Sequence, residues 1–383
     1  MMFFDFRLLI LFLFVGCSGG GSFFKGSTGG LDWPLFRGDP TLSGYTDTRL
    51  PKNPVLVWTY KSDARTSSSP IVANGITYWS DKRGHIRGVD ITGVQVFSHD
   101  FNTAVEATPM IHDSVLYIGR IDGVMSAVSL SQKKVLWEYE TMGQLNASAN
   151  HVNFEGRQAI VFGSYDNYLY SLDIQTGAEI SKFESGYYIN GAVALWEQYV
   201  MFGGCDGWLR VIDCQTGVAT DSLMTGIYIP ASPAIMDGYC YVGDHDGNIY
   251  ELYLVKGKII QHQTILETVS DGAFVSVPAV SQGYLYTFTN DQHLYAINRK
   301  DGSVRWKYLM KGSAGESSPV VCRDKIIVCT KTGIVSILDA AAGTLEWEYD
   351  TGEQIVASPA IIKDRFFILT GKGTLFCFGE KKK

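Results

Sequence analysis

The chain has 383 residues, a formal net charge of −7 and a pI of about 5.5, with 46% hydrophobic and 19% charged residues. That composition excludes a disordered chain, and the mild acidity excludes nucleic acid as a main partner, because phosphate binding needs clustered positive charge. The 41 Gly and 21 Tyr suit many short strands joined by tight turns.

Residues 1–16 read as an export signal. Arg7 precedes the apolar run 8–15, which is too short for a membrane-spanning helix of about 20 residues. Val15-Gly16-Cys17 resembles the lipobox of bacterial lipoproteins. The resemblance implies that the Cys17 thiol takes a diacylglycerol and becomes the first mature residue. The other reading is an ordinary signal peptide that leaves Cys17 incidental. Residues 17–31 open with Ser18-Gly19-Gly20-Gly21-Ser22, a flexible tether that lets a globular body stand off a membrane. Stable anchoring takes more than one acyl chain. Ser18 after the cysteine fits an outer-membrane destination under enteric-type lipoprotein sorting. Residues 32–53 form an N-terminal arm.

From residue 54 one unit repeats eight times, about every 40 residues. It opens as Ser68-Ser69-Pro70, Ala107-Thr108-Pro109, Ala147-Ser148-Ala149 and Gly191-Ala192-Val193. It returns as Ala231-Ser232-Pro233, Ser276-Val277-Pro278, Ser317-Ser318-Pro319 and Ala357-Ser358-Pro359. The second unit shows the internal pattern. A strand over 107–111 meets a turn at His112-Asp113, a strand follows over 115–119, Asp122-Gly123 is a hairpin signal, and strands over 124–129 and 135–139 finish it. Trp137 and Tyr139 stand two apart and share one sheet face. Trp58, Trp306 and Trp347 repeat the device with Tyr60, Tyr308 and Tyr349. A large ring on an outer strand docks onto the neighbouring blade.

Four-stranded units of this length are propeller blades. The eighth stops after residue 378 without its Trp strand, and residues 55–60 supply the missing one. The expected fold is therefore all-β: one eight-bladed β-propeller of four-stranded antiparallel blades over 54–380, closed by an N-terminal strand that completes the last blade.

The repeat resembles that of the PQQ-like, or quinoprotein-type, propeller family, roughly Tyr-Ala-x-Asp-x-x-Thr-Gly-x-x-x-Trp. Asn298 with Asp301-Gly302 and Trp306 matches it, as does Asp339 with Gly343 and Trp347. Two units keep the turn, at Asp173 with Gly177 and at Asp213 with Gly217, but carry Ser181 and Asp221 in place of the Trp. The first and fifth units carry Phe97 and Gln261 there. The stretch 32–40 is similar to the leader before such propellers. In the quinoprotein dehydrogenases, the resemblance implies, an adjacent cysteine pair, calcium ligands and a catalytic Asp hold and use the quinone. This sequence has no adjacent cysteine pair, so no cofactor is expected.

P-loop, zincin and nucleophile-elbow motifs are missing, so no catalytic residue is assigned. No metal site is assigned either, since Asp244-His245-Asp246-Gly247-Asn248 has the alternation of half a calcium loop but reads as a solvated hairpin. The cysteines from Cys205 onward read as strand-buried free thiols. The loops leading into the inner strands share a face with the middle hairpins, and Glu106, Asn146 and Glu316 recur there just before the Ser/Thr-Pro positions. Tyr187, Tyr188, Tyr228 and Phe274 lie on the same loops and either form a partner surface or pack on neighbouring loops. The expectation is a non-catalytic cell-envelope scaffold, lipid-anchored at the outer membrane facing the periplasm. It is similar to the propeller lipoproteins of the barrel-assembly machinery and would bind envelope proteins, that machinery among them. Two other readings stand beside it: a propeller that binds a sugar or quinone, or acts on one, at its channel mouth, and a repeat protein serving an unrelated envelope complex.

Overall fold

In the computed structural model, which describes residues 30–266, 273–274, 276–289 and 291–380, each repeat folds as a four-stranded antiparallel sheet. Eight such blades make an eight-bladed β-propeller. Blade 2 is typical, with an inner strand Met110–His112, then Val115–Gly119 and Val124–Ser129, and an outer strand Lys134–Glu140. The inner strand starts after Pro109 rather than at Ala107, and the turn falls at Asp113 and Ser114, both at positive φ. Proline has no N–H to give a ladder, so the residues before it are left to line the channel instead.

The blades bury their faces against one another. Ala73, Ile86, Val105, Leu116 and Val128 pack between blades 1 and 2, and Val152, Val161, Val193, Val200 and Phe202 between blades 3 and 4. Each such Val, Leu, Ile or Phe side chain contributes about 1.5–3 kcal/mol when fully buried, and Ala73 less. Outer strands alternate between exposed and half-buried positions, as in Lys134–Glu140.

Every blade carries a bulge in its outer strand, at the residue just before the Trp position: Val57, Leu136 and Glu346 are three of the eight. A bulge adds local twist and re-aims the next side chain. Here it turns the ring toward the following blade. Trp137 Nε1 donates to the Ile174 carbonyl at 3.2 Å, Trp58 to Ile91 at 3.0 Å and Trp306 to Ala340 at 3.1 Å. Each acceptor follows the turn Asp of the next blade, and each ring lies on that turn's glycine. A Cβ on Gly177 would stand 2.6 Å from Trp137, and one on Gly343 2.5 Å from Trp306. The spacing Asp, Gly, Trp is therefore an inter-blade contact repeated round the ring. Ser181 in blade 3 fills the Trp place and donates to the equivalent carbonyl, Cys214 O, at 2.6 Å. Trp347 differs, packing edge-on against Phe366 and Phe378 with centroids at 5.8 and 5.3 Å. Its neighbour is blade 8, where no turn joins the last two strands because they come from opposite ends of the chain.

That last blade is built from Ala360–Ile362, Arg365–Leu369, Thr374–Glu380 and the N-terminal strand Pro54–Lys61, which pairs antiparallel with its third strand from Pro54↔Glu380 to Lys61↔Thr374. Of the cysteines among the described residues, Cys240, Cys322, Cys329 and Cys377 are buried in strands, and Cys214 is buried in a turn. Cys205 corrects the sequence reading. It lies partly exposed in the hairpin between the middle strands of blade 4, where Asp206-Gly207 makes the turn. Cys17 lies outside the described residues. Among those residues no helix is long and apolar enough to cross a membrane.

Candidate functional site

The inner strand of each blade is an edge, and its outward N–H groups need acceptors. The N-terminal arm supplies them from inside the channel. Trp33 bridges Val72 in blade 1, and the carbonyl of Pro34 accepts from Ile111 N at 2.8 Å in blade 2. Pro40 O accepts from Leu195 N and Thr41 O from Ile235 N, both at 2.9 Å, in blades 4 and 5. Ser43 O accepts from Val280 N at 2.9 Å and Gly44 O from Val321 N at 2.8 Å, and Tyr45–Thr46 then runs parallel to the inner strand of blade 7. In blade 3, Asn150 Nδ2 donates to Pro40 O at 2.8 Å. One winding segment thus visits seven blades in order and fills the axis.

Arg37 locks the arm. Its side chain is 1% exposed and donates to Pro319 O at 2.5 Å and Pro278 O at 2.8 Å. Nearby, Asp39 accepts from Thr41 N and Ser43 Oγ, and burial raises its pKa. The sequence marks residues 32–53 as an N-terminal arm and 32–40 as similar to a leader; neither reading shows that the arm plugs the channel. Residues 34–44 follow a winding path of turns, with Gly38 N bonded to Leu35 O and Leu42 N to Asp39 O and with Arg37, Gly38, Leu42 and Gly44 at positive φ, so no blade pairs with them side by side.

Above the plug the channel opens into a cup of about 570 Å³, floored by Phe36. Its wall has two storeys. The lower is the residue before each proline, where hydroxyls link blade to blade. Val277 N donates to Ser318 Oγ at 3.0 Å, Ser318 N to Ser358 Oγ at 3.0 Å, Ser358 N to Ser69 Oγ at 2.9 Å and Ser69 N to Thr108 Oγ1 at 2.8 Å. The upper storey is two residues further out. Glu106, Asn146 and Glu316 all line it, together with Asn190, which sequence reasoning passed over although it holds the same repeat position.

Glu106 is held by Lys82 Nζ at 3.0 Å and by Ser67 Oγ at 3.4 Å, a half-exposed pair of small energetic weight. Among the described residues Glu316 has no ion-pair partner, and Asn146 Oδ1 is sealed from solvent without a hydrogen-bond partner.

The tyrosines divide. Tyr187 and Tyr188 are 45% and 37% exposed. Tyr188 lies 5.0 Å from the Tyr165 ring and 4.7 Å from Tyr187, and Tyr165 OH donates to Asn190 Oδ1 at 2.6 Å. Tyr228 is half-buried at the cup, and its hydroxyl and that of Tyr188 meet the Cys205 thiol, whose pKa burial pushes up. Phe274 is a correction. It is 1% exposed, packed at Gly243, and its N–H donates to Asp244 O at 3.1 Å. Leu145, Ile189 and Ile229 do the same at Gly119, Gly163 and Gly203. Phe274 is the buried peg of its blade, and alignment with Ile229 one repeat earlier is the signal that places it.

A quinone with a divalent cation does not fit this cup. Its polar groups are hydroxyls and amides with two separated glutamates and Lys331, and the described residues hold no group of three or more His, Cys, Asp or Glu that could bind a metal. The Asp244 carboxylate is spent on its own hairpin, accepting from Asp246 N, Asn248 N, Asn248 Nδ2 and Tyr250 OH.

A family profile described as "Outer membrane protein assembly factor BamB" matches residues 53–263 and 195–382. The outer membrane protein assembly factor BamB of Yersinia pestis is 29% identical over 128 residues, which cover 30% of this chain and 33% of the relative. The matched stretch thus spans about a third of that relative's length. The crystal structure of BamB from Moraxella catarrhalis superposes with a TM-score of 0.72 at 19% identity, covering 86% of this chain and 99% of that one. The quinohemoprotein alcohol dehydrogenase of Comamonas testosteroni gives a TM-score of 0.75 at 14% identity, covering 92% and 81%. At such identities these two structures speak for the fold alone.

Proposed function

The chain belongs to the family of outer membrane protein assembly factor BamB, and we propose that it is a non-catalytic scaffold of the cell envelope acting in outer-membrane protein assembly. In this reading Cys17 carries the lipid anchor, the tether 17–31 spaces the propeller from the outer membrane on its periplasmic side, and the lead-in loop face receives components of the barrel-assembly machinery. The family match along the whole propeller carries the proposal.

The loop face supports it physically. Fixed blades carry these loops, on which Met142 is 94% exposed and Tyr187 and Tyr188 are 45% and 37% exposed. Exposed aromatic and Met side chains on a rigid frame are the composition of protein-binding surfaces. The exposed tips of the lead-in loops can vary without disturbing the ring, because the inter-blade contacts lie in the apolar blade faces, the Trp docks, the hydroxyl belt and the buried pegs at Leu145, Ile189, Ile229 and Phe274.

A photoreactive phenylalanine analogue placed at position 188 tests the reading in intact cells. Adducts containing a barrel-assembly component are expected. Adducts only with unrelated envelope proteins, or none at positions 142, 187 and 188, would overturn it. Cys17→Ser tests the anchor separately: the mature chain should move from the membrane to the soluble fraction.

A further inference from the structure

We propose that a groove between blades 7 and 8, at the end of the ring where the arm begins, binds the phosphate headgroup of an anionic phospholipid through Arg49, Lys52 and Arg323. Its placement against a membrane rests on the Cys17 anchor reading.

The groove exists because the N-terminal strand closes the ring. The rings of Trp58, Trp137 and Trp306 lie on the turn between the third and fourth strands of the next blade. Blade 8 has no such turn, since those two strands are Thr374–Glu380 and Pro54–Lys61. Beside Trp347 there is instead an open groove of about 980 Å³, bordered by residues 49–55. The other three rings each donate Nε1 to a carbonyl, whereas Trp347 Nε1 has no hydrogen-bond partner among the described residues.

Charge selects the ligand. Arg49, Lys52, Arg323 and Lys325 line the groove against Asp324 and Glu346. Lys325 Nζ answers both carboxylates, with Glu346 at 2.5 Å and Asp324 at 3.8 Å, and Asp339 at 3.2 Å besides. Nearby, Glu380 accepts from the Lys52 main-chain amide at 2.7 Å and Asp47 from the Tyr45 hydroxyl at 2.8 Å. The side chains of Arg49, Lys52 and Arg323 are left without an ion-pair partner among the described residues. Guanidinium groups match phosphate oxygens in pairs. Leu50, Val55, Ile337 and Trp347 give the same groove an apolar wall. That wall suits the glycerol and upper chains of a lipid, and Trp is a residue that settles at headgroup level.

Position selects the source. Asp32 accepts from Asn74 N at 2.8 Å, in the turn between the first two strands of blade 1. Arg323-Asp324 is the same turn in blade 7, so the start of the arm and the groove share one end of the ring. The tether 17–31 leads into that end, which brings the groove within reach of the bilayer and leaves the lead-in loops on the far side. The corresponding turns of other blades carry Asp113, Glu155, Glu197, Asp237 and Asp364. Attraction is therefore confined to the groove, for one headgroup rather than a spread basic surface.

The test is flotation with vesicles of phosphatidylethanolamine and phosphatidylglycerol, beside vesicles of phosphatidylethanolamine and phosphatidylcholine. The mature chain carries Cys17→Ser, so that no acyl chain contributes. Saturable binding to the phosphatidylglycerol vesicles alone is expected, weakening as salt rises. Arg49→Gln and Arg323→Gln should each reduce it about fivefold, while Lys300→Gln, in a turn on the same face, leaves it unchanged. Removing Lys381-Lys382-Lys383, which lie outside the described residues, should leave both arginine effects in place. Circular dichroism and melting temperature confirm that the variants are folded. No binding to phosphatidylglycerol vesicles, or an equal loss in Lys300→Gln, would overturn the proposal. So would calorimetric binding of glycerol 3-phosphate by a chain that ignores the vesicles, which would mark a soluble phosphate compound as the ligand. The mass of the mature N-terminal peptide reads the anchor independently: an unacylated Cys17 sinks that reading alone, and the vesicles decide the groove.

Discussion

The Ser358 amide donates to the Ser69 hydroxyl at 2.9 Å across the seam where blade 8 meets blade 1, between residues 289 apart in the chain. Ser69 in turn donates its own amide to Thr108 Oγ1 at 2.8 Å. The seam is therefore bonded like the joint after it, and two closures coincide there: the Pro54–Lys61 strand seals the outside of blade 8 while the hydroxyl belt seals the inside.

Replacing Ser69 by alanine leaves the Ser358 N–H buried without an acceptor. The expected cost is about 1–2 kcal/mol in urea unfolding. Ser69→Thr should be close to neutral, since Thr108 holds the same place in the next blade with its hydroxyl bonded.

The Trp docks predict a non-additive pair. Gly177 has φ +70° and its missing Cβ would stand 2.6 Å from Trp137. Gly177→Ala should cost about 2–3 kcal/mol from backbone strain and crowding together. In a Trp137→Ser background the crowding is gone and about 1 kcal/mol of strain remains. A double-mutant cycle by chemical unfolding should return a coupling above about 1 kcal/mol. Full additivity would mean that the ring does not rest on that turn.

Arg37 is the test of the plug. Arg37→Ala strips a charged donor from the Pro278 and Pro319 carbonyls, and a loss of about 2–4 kcal/mol is expected. The sharper readout is amide exchange. Ile235, Val280 and Val321 donate to the arm, so their exchange should accelerate well before that of the middle strands.

His151 sets a pH window. It stacks on His112 with centroids at 3.9 Å, and Gln158 and Asp113 are the other polar groups at His112. Burial, helped by the charge of His112, lowers the His151 pKa from 6.5 to about 4. The unfolded state then binds the proton more tightly than the native one. Stability is complete above the unfolded pKa and is lost as pH falls through the interval between the two values. About 2 kcal/mol should disappear between pH 7 and pH 5. His151→Phe, which keeps a ring on His112 and does not titrate, should flatten that slope.

The blade count and the closing strand were legible because both are local signals repeated. A period of about 40 residues, Asp-Gly hairpins, Ser-Pro starts and a Trp two residues before a Tyr are all written within one unit. The missing eighth Trp strand pointed to its replacement at residues 55–60 by the same arithmetic. Glu106, Asn146 and Glu316 were picked out by repeat position, and position in a closed ring is position in space.

Phe274 was misplaced because residue type was given more weight than repeat position, and an aromatic in a loop looks exposed until the glycine beneath it is counted. Asn190 was passed over because its unit opens as Gly191-Ala192-Val193, with neither the proline nor a hydroxyl residue to mark the position. The arm was beyond reach for a different reason. Its partners are single carbonyls and amides on seven blades, and the bond from Arg37 to Pro319 spans 282 residues. Nothing in residues 32–46 carries a period, so no local pattern announces where they go. The sequence by itself determined the blades, because strand pairing within a unit depends on neighbours a few residues away. Only the tertiary structure decided what fills the axis and what faces the cup, because those contacts exist once the ring has closed and brought distant inner strands round one channel.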